Sequence, residues 1–438
     1  AQRMTEVIGR EAKTLHRLLE WQNGGFLRNE EQPLRADCLI VDECSMLDIS
    51  LTASLLRATP PGCQLLFIGD ADQLPSVGAG NVLRDLISSG VTAVSKLTEI
   101  FRQAKESKII KYAHDINSGR TPQIDSPFKK PALWKQGDDC LFFDSDEATK
   151  EQLTFISRVK RLKGFDLEGR EEITASEEPL LFGTAEPILS AYEQSFVVPK
   201  KFEHVDLHNV AKADSEIEEL KAVVKKVHPW STLHFGLTAV QSVVRLYTDW
   251  IPKYYGSRVE IQILSPMTRG SLGTLNLNKV IQHAVNPEQD GKSQVMIGER
   301  ILRVGDRVIH KRNNYDLNVF NGDIGRIVDI DTVDLGCLVS FSPDNREVAY
   351  KKDDLLQLDL AYAITIHKSQ GSEFEAVIMP LLTQHFKMLF RNLIYTGLTR
   401  AKRLAVGVGT RKALAMAVRQ EDSCLRQTAL QQLLVRGM

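Results

Sequence analysis

None of the six cysteines in this 438-residue chain forms a Cys-x-x-Cys pair, so neither a zinc site nor a disulfide framework is indicated. No stretch of about 18 consecutive apolar residues occurs, and a membrane span has no support. The charged, amphipathic start from Ala1 to Glu20 has no signal-peptide apolar region, and the cytoplasm is the expected location. A net charge of −1, from 55 basic and 56 acidic side chains, excludes a nucleic-acid coat protein. It leaves room for a localised groove with a few renewable phosphate contacts. No Ser-His-Asp or Cys-His set stands out, which argues against nucleophilic catalysis and an intrinsic nuclease. The last absence is the phosphate cradle Gly-x-x-x-x-Gly-Lys-Ser/Thr. The one Gly-Lys-Ser, at Gly291 to Ser293, has Asn286 where the first glycine should stand. It follows a polar loop rather than a strand, and so reads as a surface turn.

What is present points the other way. The run Cys38-Leu-Ile-Val-Asp42-Glu43 places two adjacent carboxylates at the end of an apolar strand. In an open parallel sheet that end faces the ligand crevice, so the pair reads as a Walker B element that holds Mg²⁺ and activates water. A helix over 47–58, a Pro-Pro-Gly turn and a second apolar strand, Gln64 to Asp70, continue a β-α-β alternation. Gln73 follows on the same crevice edge, where an amide senses a γ-phosphate or orients water, and the Pro75-Ser76-Val-Gly turn beyond it faces a second ligand.

Arg102 and Arg400 each stand at a junction between an expected strand and helix. Fixed guanidinium charge there would stabilise phosphoryl transfer, although either arginine alone reads as a surface ion pair. The turn Thr365-Ile-His367-Lys-Ser369-Gln-Gly371-Ser-Glu373 gathers short donors suited to backbone phosphates, with Glu373 placed to accept from a ribose hydroxyl. ATP and Mg²⁺ are therefore the expected cofactors.

Hydrophobic content of 43% suffices for two or three packed cores. A helix is expected over 1–21, a small hairpin over 21–35 and a strand over 91–97, all within a first domain spanning 1–120. Residues 121–149, rich in proline, aspartate and lysine, read as a connection, and 150–238 as an inserted helical subdomain. Short β-runs over 305–358 suggest an inserted small β-barrel. The stretches 239–304 and 359–438 restore a second α/β core.

The order of these boxes carries a resemblance. Thr14-Leu-His16-Arg, Val41-Asp-Glu-Cys-Ser-Met, Gly69-Asp-Ala-Asp-Gln-Leu-Pro-Ser-Val and Leu97-Thr-Glu-Ile-Phe-Arg-Gln come first. Ser265-Pro-Met-Thr-Arg-Gly, Asn321-Gly-Asp-Ile-Gly, Thr365-Ile-His-Lys-Ser-Gln-Gly and Tyr395-Thr-Gly-Leu-Thr-Arg-Ala-Lys follow. In this sequence they resemble the RecD-like superfamily 1 DNA helicases, the group that includes the α subunit of exodeoxyribonuclease V. The likeness covers about 1–145 and 255–410.

The resemblance implies two RecA-like parallel-sheet cores, the first incomplete, an SH3-like barrel at 305–358, and an ATP-driven 5′ to 3′ translocase on single-stranded DNA. By position, Asp42 would bind Mg²⁺ and Glu43 polarise water, Gln73, Arg102 and Arg400 would contact the γ-phosphate, and Gly371 and Glu373 the nucleotide. His16, Pro75, Ser76, Thr365, His367 and Ser369 would line the DNA path, and the hairpin would act at duplex junctions. Ala1-Gln-Arg-Met matches the tail of a family motif that lies beyond the nucleotide loop. The chain is accordingly expected to be a piece without that loop, silent as an ATPase alone, with exposed apolar surface on its first core and a tendency to self-associate. A non-catalytic DNA-binding or scaffold subunit of a nuclease-helicase complex is the alternative.

Overall fold

The computed structural model of the protein describes residues 4–5, 8–22, 24–97, 106–146, 148, 150–161, 198–224, 226–314, 316–342, 345–421, 426 and 428–437. The helix expected over 1–21 is broken in it. Gly9 turns into a left-handed conformation (φ 65°), and helix resumes only at Leu15–Leu18, where the Thr14 hydroxyl accepts from the Arg17 N–H. A capping residue so close behind a glycine starts a new helix rather than continuing an old one. Strands β1 (Trp21–Gln22) and β2 (Gly25–Phe26) then form a minimal antiparallel hairpin, pairing Trp21 with Phe26.

Strands β3 (Cys38–Val41) and β4 (Gln64–Phe67) pair in parallel, with Val41 opposite Phe67. Helix Ile49–Ala58 joins them, its first turn capped by Asp48, which accepts from the Leu51 N–H at 2.7 Å. One face of this pair is sealed by Leu39, Val41, Leu55, Ala58, Val82 and Leu83. On the other face Ile40, Leu66 and Ile68 are about half exposed, although both strands are apolar along their length. Residues 91–97, expected as a further strand, are irregular, with a bend at Thr92 and Leu97 96% exposed. β-propensity alone does not hold a strand whose N–H and C=O groups find no neighbouring ladder.

The second core is a five-stranded, all-parallel sheet in the order β14 (Ala363–Thr365), β6 (Ile261–Ser265), β15 (Phe374–Leu381), β16 (Ala401–Gly409), β5 (Cys140–Asp144). Strand β5 lies within the stretch read from sequence as a connection. Its residues split by period two, as strand geometry requires. Leu141 and Phe143 join Ile261, Ile263, Ile378 and Val406 on one face, while Cys140 and Phe142 join Leu264, Val377, Met379 and Ala405 on the other. Both faces are thus covered, and each fully buried aliphatic side chain contributes roughly 1.5–3 kcal/mol. Helix Lys108–Asn117, expected in the first domain, packs its Ile109, Ala113 and Ile116 into this second core.

Strands β7 (Gln294–Ile297) and β8 (Arg300–Arg303) form a hairpin. A five-stranded antiparallel sheet follows in the order β12 (Arg346–Tyr350), β11 (Gly336–Phe341), β10 (Ile324–Asp331), β9 (Arg307–His310), β13 (Leu358–Leu360). Its outer strands β12 and β13 do not pair with each other among the described residues. Helices Lys150–Arg161, Leu207–Lys212 and Glu216–Val223 enclose a separate small core of Phe155, Ile156, Val159, Phe202, Val210 and Val223. Gly291 sits in a left-handed turn (φ 81°) between helix Thr274–Val285 and β7, the geometry of a surface turn.

Candidate nucleotide and nucleic-acid site

The β3–β4 ladder runs on past both strands, since the Cys44 N–H donates to the Ile68 carbonyl at 2.9 Å and the Ile68 N–H to the Val41 carbonyl at 2.8 Å. This fixes the backbone that carries Asp42 and Glu43. Glu43 is left-handed at φ 56°, a conformation that costs a non-glycine residue roughly 1–3 kcal/mol and persists where surrounding structure imposes it. Its N–H donates to Oδ1 of the exposed Asp42 at 2.9 Å. Burial pushes the Glu43 carboxyl above its ordinary range, Arg400 pulls it back, and Asp42, Asp70 and Glu373 push it further up. Those groups come from four boxes and from both cores. Asp42, Asp70, Glu373 and Arg400 thus all act electrostatically on Glu43.

The loop after β4 is held from the second core. Asp70 Oδ2 accepts from the Tyr395 hydroxyl at 2.8 Å and from Gln73 Nε2 at 3.3 Å. The Leu74 N–H donates to Thr396 Oγ1 at 2.9 Å, and Gln370 Nε2 donates to the Leu74 carbonyl at 2.8 Å. Because a carboxylate only accepts, the Gln73 amide must turn its NH₂ toward Asp70. Its carbonyl oxygen is then buried with no hydrogen-bond partner, an acceptor with capacity for a donor.

Arg400 ends helix Arg391–Thr399 and is buried, donating to the Thr396 carbonyl at 3.3 Å and the Ser372 carbonyl at 3.1 Å. It thereby braces the turn that carries Gly371, which is left-handed at φ 73°, and Glu373, which is 3.4 Å from Lys402. Thr365 closes β14, and a short turn, Ile366–Ser369, follows it.

The residues expected to line a DNA path fall into two groups. Thr365 and His367 are half-buried, and His16 lies in an aromatic group with Trp21 (6.0 Å between ring centres) and Phe26 (5.5 Å) beside the hairpin. Pro75, Ser76 and Ser369 are buried, and both hydroxyls serve backbone: Ser76 donates to the Gly78 carbonyl at 3.1 Å and Ser369 to the Ile366 carbonyl at 2.7 Å. In this structure they shape turns and present no hydroxyl to an open path. Arg102 lies outside the described residues. Sequence reasoning gave no role to Asp70, Gln370, Tyr395 or Thr396. The available signal was the pair of hydroxyls at Tyr395 and Thr396, about one helical turn before Arg400.

Three family models match the chain in succession: "AAA domain" over residues 1–130, "ATP-dependent RecD-like DNA helicase SH3 domain" over 277–341, and "UvrD-like helicase C-terminal domain" over 360–406. The ATP-dependent RecD2 DNA helicase of Deinococcus radiodurans is 30% identical over 430 residues, covering 98% of this chain and 44% of that protein. The RecBCD enzyme subunit RecD of Haemophilus influenzae is 27% identical over 434 residues, covering 98% and 59%. The chain spans about half the length of the curated relatives it matches. Among solved structures, the Pif1 helicase from Bacteroides in complex with ADP-AlF3 and ssDNA covers 90% of this chain and 78% of its own, at 17% identity and a TM-score of 0.41. A parallel-sheet core, a carboxylate pair at a strand end and this succession of matches define a superfamily 1 helicase. Within that class, the chain belongs to the RecD-like DNA helicases.

Proposed function

We propose that these residues form the motor of an ATP-dependent DNA helicase that translocates 5′ to 3′ on single-stranded DNA. The supporting observation is the convergence at Glu43, whose carboxyl is influenced by Asp42 and Asp70 from one core and by Arg400 and Glu373 from the other. The site fits a nucleotide-bound divalent cation. Glu43 stands among the carboxylates of Asp42, Asp70 and Glu373, which raise the local negative potential, and Asp42 is an exposed carboxylate whose Oδ1 accepts from the Glu43 N–H. Mg²⁺ typically takes one or two carboxylates and completes its shell with phosphate and water.

Mg²⁺-ATP, when bound, supplies the phosphoryl bond and the Lewis acid. Asp42 would hold the cation, and Glu43, with its raised proton affinity, would accept a proton from water at a carboxylate oxygen. Gln73 would accept from the same water through its free carbonyl, and Arg102 and Arg400 would offset charge developing on the transferred group. Gly371 and Glu373 would receive the nucleotide. His16, Thr365 and His367 would meet the strand, Pro75, Ser76 and Ser369 would set the turns that face it, and the Trp21–Phe26 hairpin would part the duplex at a junction.

The sequence offers no Gly-x-x-x-x-Gly-Lys-Ser/Thr cradle, so the 438 residues alone are expected to bind single-stranded DNA without DNA-stimulated ATP hydrolysis. A longer chain that includes such a loop should hydrolyse ATP and lose at least a hundredfold in kcat on Glu43→Gln, on the scale of general-base removal, about 10²–10⁴. ATPase assays with and without oligo(dT) check both. Hydrolysis by the 438 residues that is indifferent to Glu43→Gln would refute the assignment.

A further inference from the structure

The segment beyond the second core returns to the first. It is fastened to the second core where the Arg391 N–H donates to the Gln420 carbonyl at 2.8 Å and the Arg391 guanidinium pairs with Glu421. Farther along, helix Leu430–Arg436 lies against helix Val82–Ser89. Leu430 joins the first core's apolar cluster, Gln431 Nε2 donates to the Ser88 carbonyl at 3.1 Å, and Thr428 hydrogen-bonds the buried Asp85. Between these anchors, Arg426 reaches into the turn after Pro75. Its Nη1 donates to the Gly78 carbonyl at 3.1 Å and the Gly80 carbonyl at 3.0 Å, and lies 3.5 Å from Ser76 Oγ.

The turn has little freedom apart from this contact. The Ile49 N–H donates to the Ala79 carbonyl at 3.0 Å. A Cβ at Gly78 would meet Asp48 Oδ2 at 2.2 Å, and one at Gly80, whose φ is +100°, would meet Ile49 Cγ1 at 2.3 Å. The turn therefore lies pressed on the start of helix Ile49–Ala58, and the large side chain it presents outward is Val77, at 88% exposure, beside the small, also exposed Ala79. Within the first core the Ser76 hydroxyl reaches the same two carbonyls, at 3.1 and 3.4 Å, and the Arg426 guanidinium adds to that neutral contact a charged donor shared between them.

We propose that Gln420, Glu421, Arg426 and residues 428–436 act as a strap between the cores and that Arg426 is a positioning residue, setting the Pro75–Gly80 turn so that Val77 meets single-stranded DNA. This rests on the nucleic-acid reading above and extends it to a segment that none of the family matches reaches. Because the strap is anchored on both cores, a change in their separation is delivered to the turn through one side chain.

The test uses the 438-residue chain, a fluorescein-labelled oligo(dT) for anisotropy, and hydrogen exchange of the amides at 78–80. Arg426→Ala is expected to weaken binding roughly tenfold, the scale of one charge-assisted contact, and to speed exchange at 78–80 with the melting temperature retained. Arg426→Lys, which keeps the charge but not the fork, should recover part of the affinity. Val77→Asp, which leaves the strap intact, should weaken binding without altering exchange. Wild-type affinity in both Arg426→Ala and Val77→Asp overturns the proposal alone. Failure of the wild-type chain to bind the oligonucleotide overturns the nucleic-acid reading and the proposal with it.

Discussion

Glu43 combines a left-handed backbone with a carboxyl that burial holds above its ordinary value of 4.5. A raised folded-state pKa means that the unfolded chain releases this proton first as pH rises, so its contribution to stability is full below 4.5 and lost as pH climbs through the folded value. Glu43→Gln should therefore raise the melting temperature at pH 7 and leave it unchanged below pH 4.5, which paired thermal melts would show. His310 behaves in the opposite sense. It is fully buried, its Nδ1 is 3.0 Å from the Tyr350 hydroxyl and its Nε2 has no partner. Burial pushes its pKa below 6.5, with Asp354 opposing. The unfolded chain then binds a proton that the fold refuses, and stability should fall as pH drops below 6.5, a slope that His310→Phe would remove. Asp306, also fully buried, accepts from Gln282 and Asn286 at 2.6 Å, from the Arg303 N–H at 2.7 Å and from the Tyr362 hydroxyl at 2.8 Å. It ties helix Thr274–Val285 to the antiparallel sheet. Asp306→Ala leaves the Arg303 N–H and the Tyr362 hydroxyl without this acceptor and reduces Gln282 and Asn286 to their bonds with the Ile301 and Val304 carbonyls, and it should cost about 3–5 kcal/mol in chemical denaturation.

Among the elements, strand β5 shows most clearly where sequence and structure part. Arg411 grips it: Nε and Nη2 reach the two oxygens of Asp144 at 2.6 and 3.0 Å, Nη1 reaches the Ile124 carbonyl at 2.6 Å, and the guanidinium lies 4.3 Å from the Phe142 ring centre. Arg411 is partly exposed, so Arg411→Met should cost only about 1–2 kcal/mol, yet exchange of the β5 amides should quicken selectively. From sequence, Cys38–Val41, Gln64–Phe67 and Phe374–Leu381 were legible because a long apolar run between polar turns has few alternatives. Cys140–Asp144 is as apolar, but the prolines and charges on either side concealed it, and its partner β16 lies far off along the chain. Residues 91–97 carried the opposite error, with strand-forming composition and no neighbour to pair with. At the site, the carboxylates and Arg400 were legible from their chemistry, whereas the braces at Tyr395, Thr396 and Gln370 depend on which core surface faces which. No local pattern encodes that.

At the scale of the whole chain, the uneven cover of the two cores matters most. The second sheet is packed on both faces, whereas the β3–β4 pair leaves Ile40, Leu66 and Ile68 in contact with water. Apolar side chains gathered at a sheet face favour association between copies. The 438 residues should therefore show a concentration-dependent sedimentation coefficient that Leu66→Lys abolishes. Such association would act independently of DNA, since a net charge of −1 gives no long-range pull toward a polyanion. Strand order has a separate consequence during synthesis. β5 enters the sheet only beside β16, where Cys140 pairs with Ala405, roughly 265 residues later. At about 5–20 residues per second, the ribosome takes roughly 13–50 s to cover that interval. Through that time Leu141, Phe142 and Phe143 are exposed on the nascent chain without their partner strand, an apolar segment open to non-native contacts.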